Sequence, residues 1–144
     1  MIFFTSVTGK EKEKKMNHMG LAVGAAALGG AAGSVLRYLI SSEMAVMLGT
    51  SFPYGTLAVN AAGALCIGFF GVLISGVSKN PLLGVFVITG ILGGLTTFSS
   101  LVNEVIQYLS AGQFWTGFGN LFLQGFLGLF LAAGGGFSAR WIFF

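Results

Sequence analysis

The segment Gly90–Ser100, which reads GILGGLTTFSS, decides what kind of fold this chain adopts. It lies within an apolar stretch that extends from about Leu82 to Leu109. Glycines weaken a helix, and hydroxyl groups without partners are costly at membrane depth. Irregular backbone at that depth is tolerated where it is buried in protein or lines a watery cavity. We therefore expect a helix that is broken at its middle, with a site at the break that handles an ion.

The composition indicates a membrane protein. The chain is 55% hydrophobic and 8% charged, whereas a soluble domain carries roughly 25% charged residues. Three further apolar stretches accompany the broken one, at about Gly20–Ile40, Gly55–Val77 and Phe114–Phe137. Each is near or above the roughly 20 residues that cross a bilayer. The sequence therefore predicts an all-α integral membrane protein with four transmembrane helices, the third broken at its middle.

A polar amino-terminal tail precedes the first apolar stretch. We divide the chain into this tail, residues 1–19, and a four-span domain, residues 20–144. Glutamates 11 and 13 alternate in the tail with four of the seven Lys and Arg residues, Lys10, Lys12, Lys14 and Lys15. The tail is too short and too mixed in charge to predict nucleic-acid binding, and we expect a solvated cytoplasmic end. The true start could equally be Met16 or Met19, and the latter would remove all four lysines.

The remaining charges bear on how the chain is oriented. With four spans, both termini and the loop that holds Lys79 share one side of the membrane. Without the tail, that side carries Lys79 and Arg140, against Arg37 at the end of the first span. The positive-inside rule then predicts almost no preference between the two orientations of the chain in the membrane. This near-balance suggests a protein that inserts either way up or pairs with an inverted partner, although a small protein with few charges gives the same count.

Three strings, taken together and in this order, resemble the fluoride channel family called Fluc or CrcB. They are GGAAGSVLRY, which contains Arg37, GTLAVNAAG, which contains Asn60, and GGLTTFSS, which Glu104 follows. The resemblance implies a passive, selective fluoride channel rather than an enzyme. It implies an antiparallel dimer in a bacterial cell membrane that exports cytoplasmic fluoride and so lowers its toxicity.

The resemblance also implies the pore residues. A buried Asn60 has two N–H donors that suit an anion, although an interhelical hydrogen bond explains such a residue equally well. By resemblance Asn60 is a pore donor, and Thr56, one turn away, lines the pore with Ser99 and Ser100. Phe98 matches an aromatic residue that faces fluoride with the positive edge of its ring.

Two positions depart from the family's pattern. Leu101 stands where a second phenylalanine normally follows, and a leucine offers no ring edge. In the fourth span, Asn120 and Gln124 provide a polar pair, and Gln124 is bulkier than the serine or asparagine expected; we still assign it to the pore. These departures raise the hypothesis that the chain is half of a heterodimer with a paralogous chain, against a homodimer that tolerates the substitutions.

The broken helix could also hold a cation, because unwound carbonyl groups at mid-membrane are suitable ligands for a hard ion. The resemblance implies a structural sodium ion, not transported, between two antiparallel subunits. Its ligands by position are the backbone carbonyls of Gly93 and Thr96. The resemblance places Arg37 and Glu104 near a vestibule with an electrostatic role, and Arg37 has a second interpretation as a snorkelling anchor at the membrane interface.

Two other functions are weighed against a channel. A small multidrug exporter also has four spans, but it needs a membrane-embedded glutamate in span one, and Gly20–Ile40 contains no acidic residue. A membrane subunit that only scaffolds a partner would not need a polar break in its third span. We therefore favour the channel, with fluoride, sodium, lipid and a second subunit as its partners.

Overall fold

Helices make up almost all of the computed structural model, which describes residues 9–78 and 80–144. Four of its helical segments are long and apolar enough to cross a membrane. Three are continuous, and the third in chain order is interrupted. The segments are α1 (Gly9–Leu48), α2 (Tyr54–Val77), the third span from α3 (Pro81–Gly84) to α5 (Phe98–Ser110), and α6 (Phe114–Phe143).

The distribution of burial confirms a multi-pass membrane protein. Many large apolar side chains lie on the outside, among them Trp115 at 90% exposed and Trp141 at 82%. The side chains that are most enclosed include polar ones, such as Asn120 at 1%. A water-soluble fold would bury its apolar groups. Here the apolar surface suits lipid or a partner subunit, and polar groups occupy the interior.

The first helix is longer than predicted. It continues past Ile40, where the sequence analysis ended the first apolar stretch, to Leu48, so the predicted end of this helix was wrong. The segment after Glu43 is again apolar, and nothing before Gly49 stops a helix. Gly49 has a positive φ of 79°, which is the conformation that commonly ends helices. At its other end α1 includes residues 9–19 of the predicted tail, while residues 1–8 lie outside the described part of the chain.

The third span is interrupted as predicted. After α3 the chain forms a π-helix, Val85–Leu92, and then a short turn, α4 (Gly93–Leu95). Thr96 and Thr97 are extended, with ψ angles of 153° and 110°, and α5 begins at Phe98. The break therefore falls at the two threonines, which follow the paired glycines after the single residue Leu95. The π-helix was not predicted.

Glycines allow α1 to approach the third span closely. A Cβ atom added at Gly90 would lie 2.8 Å from the Cα atom of Gly29, and one added at Gly94 would lie 3.1 Å from the Cα atom of Gly30. Small residues at helical spacing permit such crossings in membranes. The crossing holds the π-helix and the break against the middle of α1, while α2 packs along α6.

Candidate functional site

Asn60 on α2 is joined to the break by a reciprocal pair of hydrogen bonds. The backbone N–H of Thr97 donates to Oδ1 of Asn60 at 2.7 Å, and Nδ2 of Asn60 donates to the carbonyl oxygen of Thr97 at 3.1 Å. Within an α-helix the N–H of Thr97 would instead reach the carbonyl of Gly93, four residues earlier. The side chain of Asn60 therefore replaces the helical partner that the break removes.

A chain of side-chain amides continues from Asn60 into the fourth span. Nδ2 of Asn60 also donates to Oε1 of Gln124 at 2.7 Å. Nε2 of Gln124 donates to Oδ1 of Asn120 at 2.9 Å, and Nδ2 of Asn120 donates to Oε2 of Glu104 at 3.3 Å. The hydroxyl of Thr56 donates to the other carboxylate oxygen of Glu104. We call these residues, together with Thr97, the polar track.

The polar track contains the buried polar side chains of the described residues. They are Thr97 at 5% exposed, Asn120 at 1%, Gln124 at 7% and Thr56 at 9%. The side chains of Thr56, Asn120 and Gln124 hydrogen-bond within the track, and that of Thr97 accepts from the backbone N–H of Ser100. A connected and satisfied polar network can be kept at membrane depth, where an unpaired polar group costs several kcal/mol. The predicted residues Thr56, Asn60, Gln124 and Glu104 are thus brought together.

The track opens at one end into a cavity of about 480 Å³. We call this cavity the vestibule. Thr56 and Glu104 lie in its wall, and Tyr108 closes part of it by donating a hydrogen bond to the carbonyl of Ser51 at 3.0 Å. Glu104 is the only charged residue among the described residues that line it. The prediction that Glu104 lies near a vestibule agrees with this position.

Ser99 and Ser100 contact the break rather than the amide chain. The backbone N–H of Ser100 donates to Oγ1 of Thr97 at 3.1 Å, so Thr97 caps the start of α5. The hydroxyl oxygens of Ser99 and Ser100 lie 3.2 and 3.0 Å from that same oxygen. Both serines therefore help to hold the break in shape, and their assignment to a pore stays a prediction.

The break leaves two predicted cation ligands without their helical partners. The N–H that would bond the carbonyl of Gly93 belongs to Thr97, and it donates to Asn60 instead. The N–H that would bond the carbonyl of Thr96 belongs to Ser100, and it donates to the side chain of Thr97. Carbonyl oxygens without a helical partner are hard donors suited to a sodium ion, although that of Thr96 also accepts from the guanidinium of Arg37. The donor set at Gly93 and Thr96 therefore fits such an ion.

The sequence analysis expected Arg37 at the end of the first span, and this expectation was wrong. Because α1 continues to Leu48, Arg37 sits within the helix. Its Nη1 atom donates to the carbonyl oxygen of Thr96 at 3.4 Å. The side chain therefore contacts the break, and both its electrostatic role near a vestibule and its interpretation as an interface anchor stay predictions.

The two positions compared with the family's aromatic pair face differently. Phe98 is 73% exposed on the surface of the chain, whereas Leu101 is 5% exposed. Phe98 is thus a predicted pore residue with a side chain that lies largely outside the chain's own interior, and Ser99 beside it is exposed as well. Sequence reasoning also left Asn120 and Thr97 out of the assigned site. Their signals were present, since Asn120 is four residues from Gln124 and Thr97 lies in the central motif.

The fold and the track define a class of protein. A multi-pass membrane protein with a connected polar path through its interior, at the level of a broken helix, is a transport protein for a small polar solute. Residues 24–136 match the family described as CrcB-like protein, Camphor Resistance (CrcB). The chain belongs to this family, as the resemblance of its motifs implied.

Relatives of similar length support the assignment. The chain is 48% identical over 104 residues to the fluoride-specific ion channel FluC of Flavobacterium psychrophilum, which covers 72% of this chain and 84% of the relative. It is 41% identical over 121 residues to FluC of Desulfotalea psychrophila, covering 81% and 90% of the two chains. It is 43% identical over 124 residues to FluC of a Roseiflexus species, covering 83% and 95%. These names describe an ion channel rather than an enzyme, in agreement with the sequence prediction.

Proposed function

We propose that this protein is a passive, selective channel that lets fluoride leave the bacterial cytoplasm. The observation that carries the proposal is the polar track, which holds the neutral amide side chains of Asn60, Gln124 and Asn120 at membrane depth. Hydrogen fluoride crosses membranes as a neutral acid and ionises in a near-neutral cytoplasm, where the anion is trapped. A channel for the anion lets the membrane potential drive it out and so lowers its toxicity.

Neutral amide donors suit conduction of a small anion. Asn120 and Gln124 each have an N–H group outside the hydrogen bonds of the track that can replace part of the ion's hydration shell, while the two N–H groups of Asn60 donate to Thr97 and Gln124. A lysine or arginine in the same place would hold the ion too tightly, since conduction requires binding weak enough to permit exit. The described residues of the track include no such cation, and Arg37 reaches the break at Thr96 instead.

The functional unit that we propose is an antiparallel dimer, formed with a second copy or with a paralogous chain. Support comes from Phe98, which is 73% exposed. An aromatic ring at the level of the break, turned out of its own chain, is placed to meet the track of an inverted neighbour. Its positive edge would then complete a path that the neighbour's amides begin.

We further propose that the carbonyls of Gly93 and Thr96 hold a structural sodium ion at this dimer interface. Gly93 is exposed and Thr96 partly so, which leaves both near the outside of the chain. When bound, the ion supplies a fixed positive charge beside the anion path. Arg37 lies 3.4 Å from the Thr96 carbonyl, so its guanidinium shares that oxygen and adds charge of the same sign.

The test is fluoride efflux from liposomes that contain the purified chain, measured with a fluoride electrode beside a chloride control. We expect fast fluoride efflux, little chloride efflux, and a rate at least about tenfold lower for Asn60→Ala, because the hydrogen bond that orients Gln124 in the track is lost. Gln113→Ala, at the exposed mouth of the vestibule, serves as the matched control. Equal rates for chloride and fluoride, or an unchanged rate for Asn60→Ala in a conducting protein, would contradict the proposal.

A further inference from the structure

Glu104 is unexpected in a path for anions. Its carboxylate is the only charge among the described residues of the vestibule wall, and two like charges repel each other. A carboxylate there would slow an anion unless it performs a compensating task. Its hydrogen bonds suggest what that task is, because it accepts from Asn120 and from Thr56.

One series of hydrogen bonds in the track runs in a single direction, from Thr97 to Glu104. A backbone N–H only donates, so the N–H of Thr97 requires Oδ1 of Asn60 to face it. Nδ2 of Asn60 then faces Oε1 of Gln124. Nε2 of Gln124 consequently faces Oδ1 of Asn120, which turns Nδ2 of Asn120 towards Glu104. An amide reversed anywhere in this series would set two oxygens or two NH₂ groups against each other.

The series must end on an acceptor, and Glu104 is that acceptor. Each side-chain amide has two N–H donors. Among the hydrogen bonds of the described residues, Asn120 and Gln124 use one donor each within the series. Asn120 and Gln124 therefore each keep one N–H that an entering anion can use, whereas Asn60 uses both of its own. With no acceptor at position 104, Asn120 would have no partner that holds its NH₂ group in this direction.

We propose that Glu104 is a positioning residue that terminates a directional relay of amides, and that conduction requires its acceptor oxygen rather than its charge. The proposal rests on the proposed function for its effect on fluoride flux. It assigns Asn120, with Gln124, as a donor to the anion. It also explains a carboxylate in the vestibule without giving it a direct contact with the ion.

Two neutral variants of nearly equal size separate the acceptor from the charge. In Glu104→Gln the amide oxygen accepts from Asn120, and its NH₂ group donates to the hydroxyl oxygen of Thr56. In Glu104→Met neither group finds its partner. We expect fluoride efflux from liposomes within about threefold of the wild-type rate for Glu104→Gln, and at least about tenfold slower for Glu104→Met, because a hydrogen bond to the relay is lost.

The same pair of substitutions at Glu43 provides the control. Glu43 is exposed on α1, and it lies near the carboxyl-terminal end of this helix, which is the end that lines the vestibule. Glu43→Gln and Glu43→Met should both leave the efflux rate unchanged. A role for Glu104 in repelling anions predicts that both of its variants conduct faster and to the same extent. The proposal is overturned if the rate of Glu104→Gln is not at least about threefold above that of Glu104→Met.

A second measurement reads the relay without any ion flux. Side-chain amide signals of the ¹⁵N-labelled protein in micelles are recorded, and the signal of Asn120 is assigned by its loss in Asn120→Asp. We expect that signal to keep its position in Glu104→Gln and to move in Glu104→Met. If the wild-type protein failed to conduct fluoride, the proposed function would fail, while this comparison would still decide the relay. An Asn120 signal that moves equally in both variants would overturn it.

Discussion

At the scale of single residues, the buried position of Leu101 determines what its replacement by phenylalanine would do. The family resemblance marks it as the place of a missing aromatic ring, which suggests that a phenylalanine there would restore a contact with the ion. The structure places the side chain of Leu101 inside the chain, at 5% exposed. A larger side chain in a filled position forces its neighbours to move. A phenylalanine at position 101 is therefore expected to disturb the packing of the chain before it can contact an ion.

We expect Leu101→Phe to lower the stability of the protein by about 1–3 kcal/mol, because the extra ring overfills a packed position. The measurement is thermal unfolding of the purified protein in detergent. Val102→Phe is the matched control, since Val102 is the next residue along α5 and is 39% exposed. A melting temperature for Leu101→Phe at or above the wild-type value would show that the position already has room for a ring.

Other residues show what the sequence could and could not predict about the site. Asn60, Thr56 and Gln124 were found from motif strings and spacing, because a polar residue inside an apolar span is conspicuous wherever it points. The contact of Arg37 with Thr96 and that of Asn120 with Glu104 were not found. Both depend on the rotation and register of one helix against another, and no local pattern encodes these.

At the scale of elements, the third span again has features that the sequence could predict and features that it could not. Its break was predictable because paired glycines and four hydroxyl residues interrupt an apolar run. The π-helix at Val85–Leu92 was not, since those residues are as apolar as any α-helical span. The extension of α1 to Leu48 was missed for the opposite reason, because Ser41, Ser42 and Glu43 are polar but do not stop a helix. Composition thus located the interruption but not the helix type or the helix end.

The hydrogen bond between Asn60 and Thr97 leads to a prediction about stabilisation of the protein by sodium. Oδ1 of Asn60 holds the N–H of Thr97 and so keeps the carbonyl of Gly93 free. We expect sodium chloride to raise the melting temperature above that in N-methylglucamine chloride, because a ligand that binds the folded state stabilises it. In Asn60→Ala the difference should shrink, since the N–H of Thr97 can then return to Gly93.

Asn60→Asp is the informative control for this experiment. It keeps an acceptor for the N–H of Thr97 but loses the donors that reach Gln124 and the carbonyl of Thr97. We therefore expect it to retain the stabilisation by sodium while fluoride efflux falls. If sodium stabilised Asn60→Ala as much as the wild-type protein, the carbonyl of Gly93 would not depend on Asn60. If sodium stabilised none of the three proteins, the break would hold no such ion.

At the scale of the whole molecule, the position of Arg37 alters the balance of charges across the membrane. With Arg37 placed inside α1 beside the break, it no longer counts as a flanking charge. The connections at residues 49–53 and 111–113 contain no Lys or Arg. All the other basic residues therefore belong to the side of the two termini: Lys10, Lys12, Lys14, Lys15, Lys79 and Arg140. Of these, Lys10 is described only in its backbone and Lys79 lies outside the described residues.

We expect the full chain to insert with both termini in the cytoplasm, because basic flanking residues are retained there. An impermeant maleimide applied to intact cells measures this in a Cys66→Ser background, with single cysteines at Thr50→Cys and Phe144→Cys. Only the first should be labelled. In a chain that starts at Met19, four lysines are absent, so labelling at the second position should rise.

A full chain that inserts in one orientation only cannot form an antiparallel pair with its own copy. Its partner must then be a different chain that inserts the other way up. Equal labelling of both positions in the full chain would instead show that two copies of this chain supply both orientations.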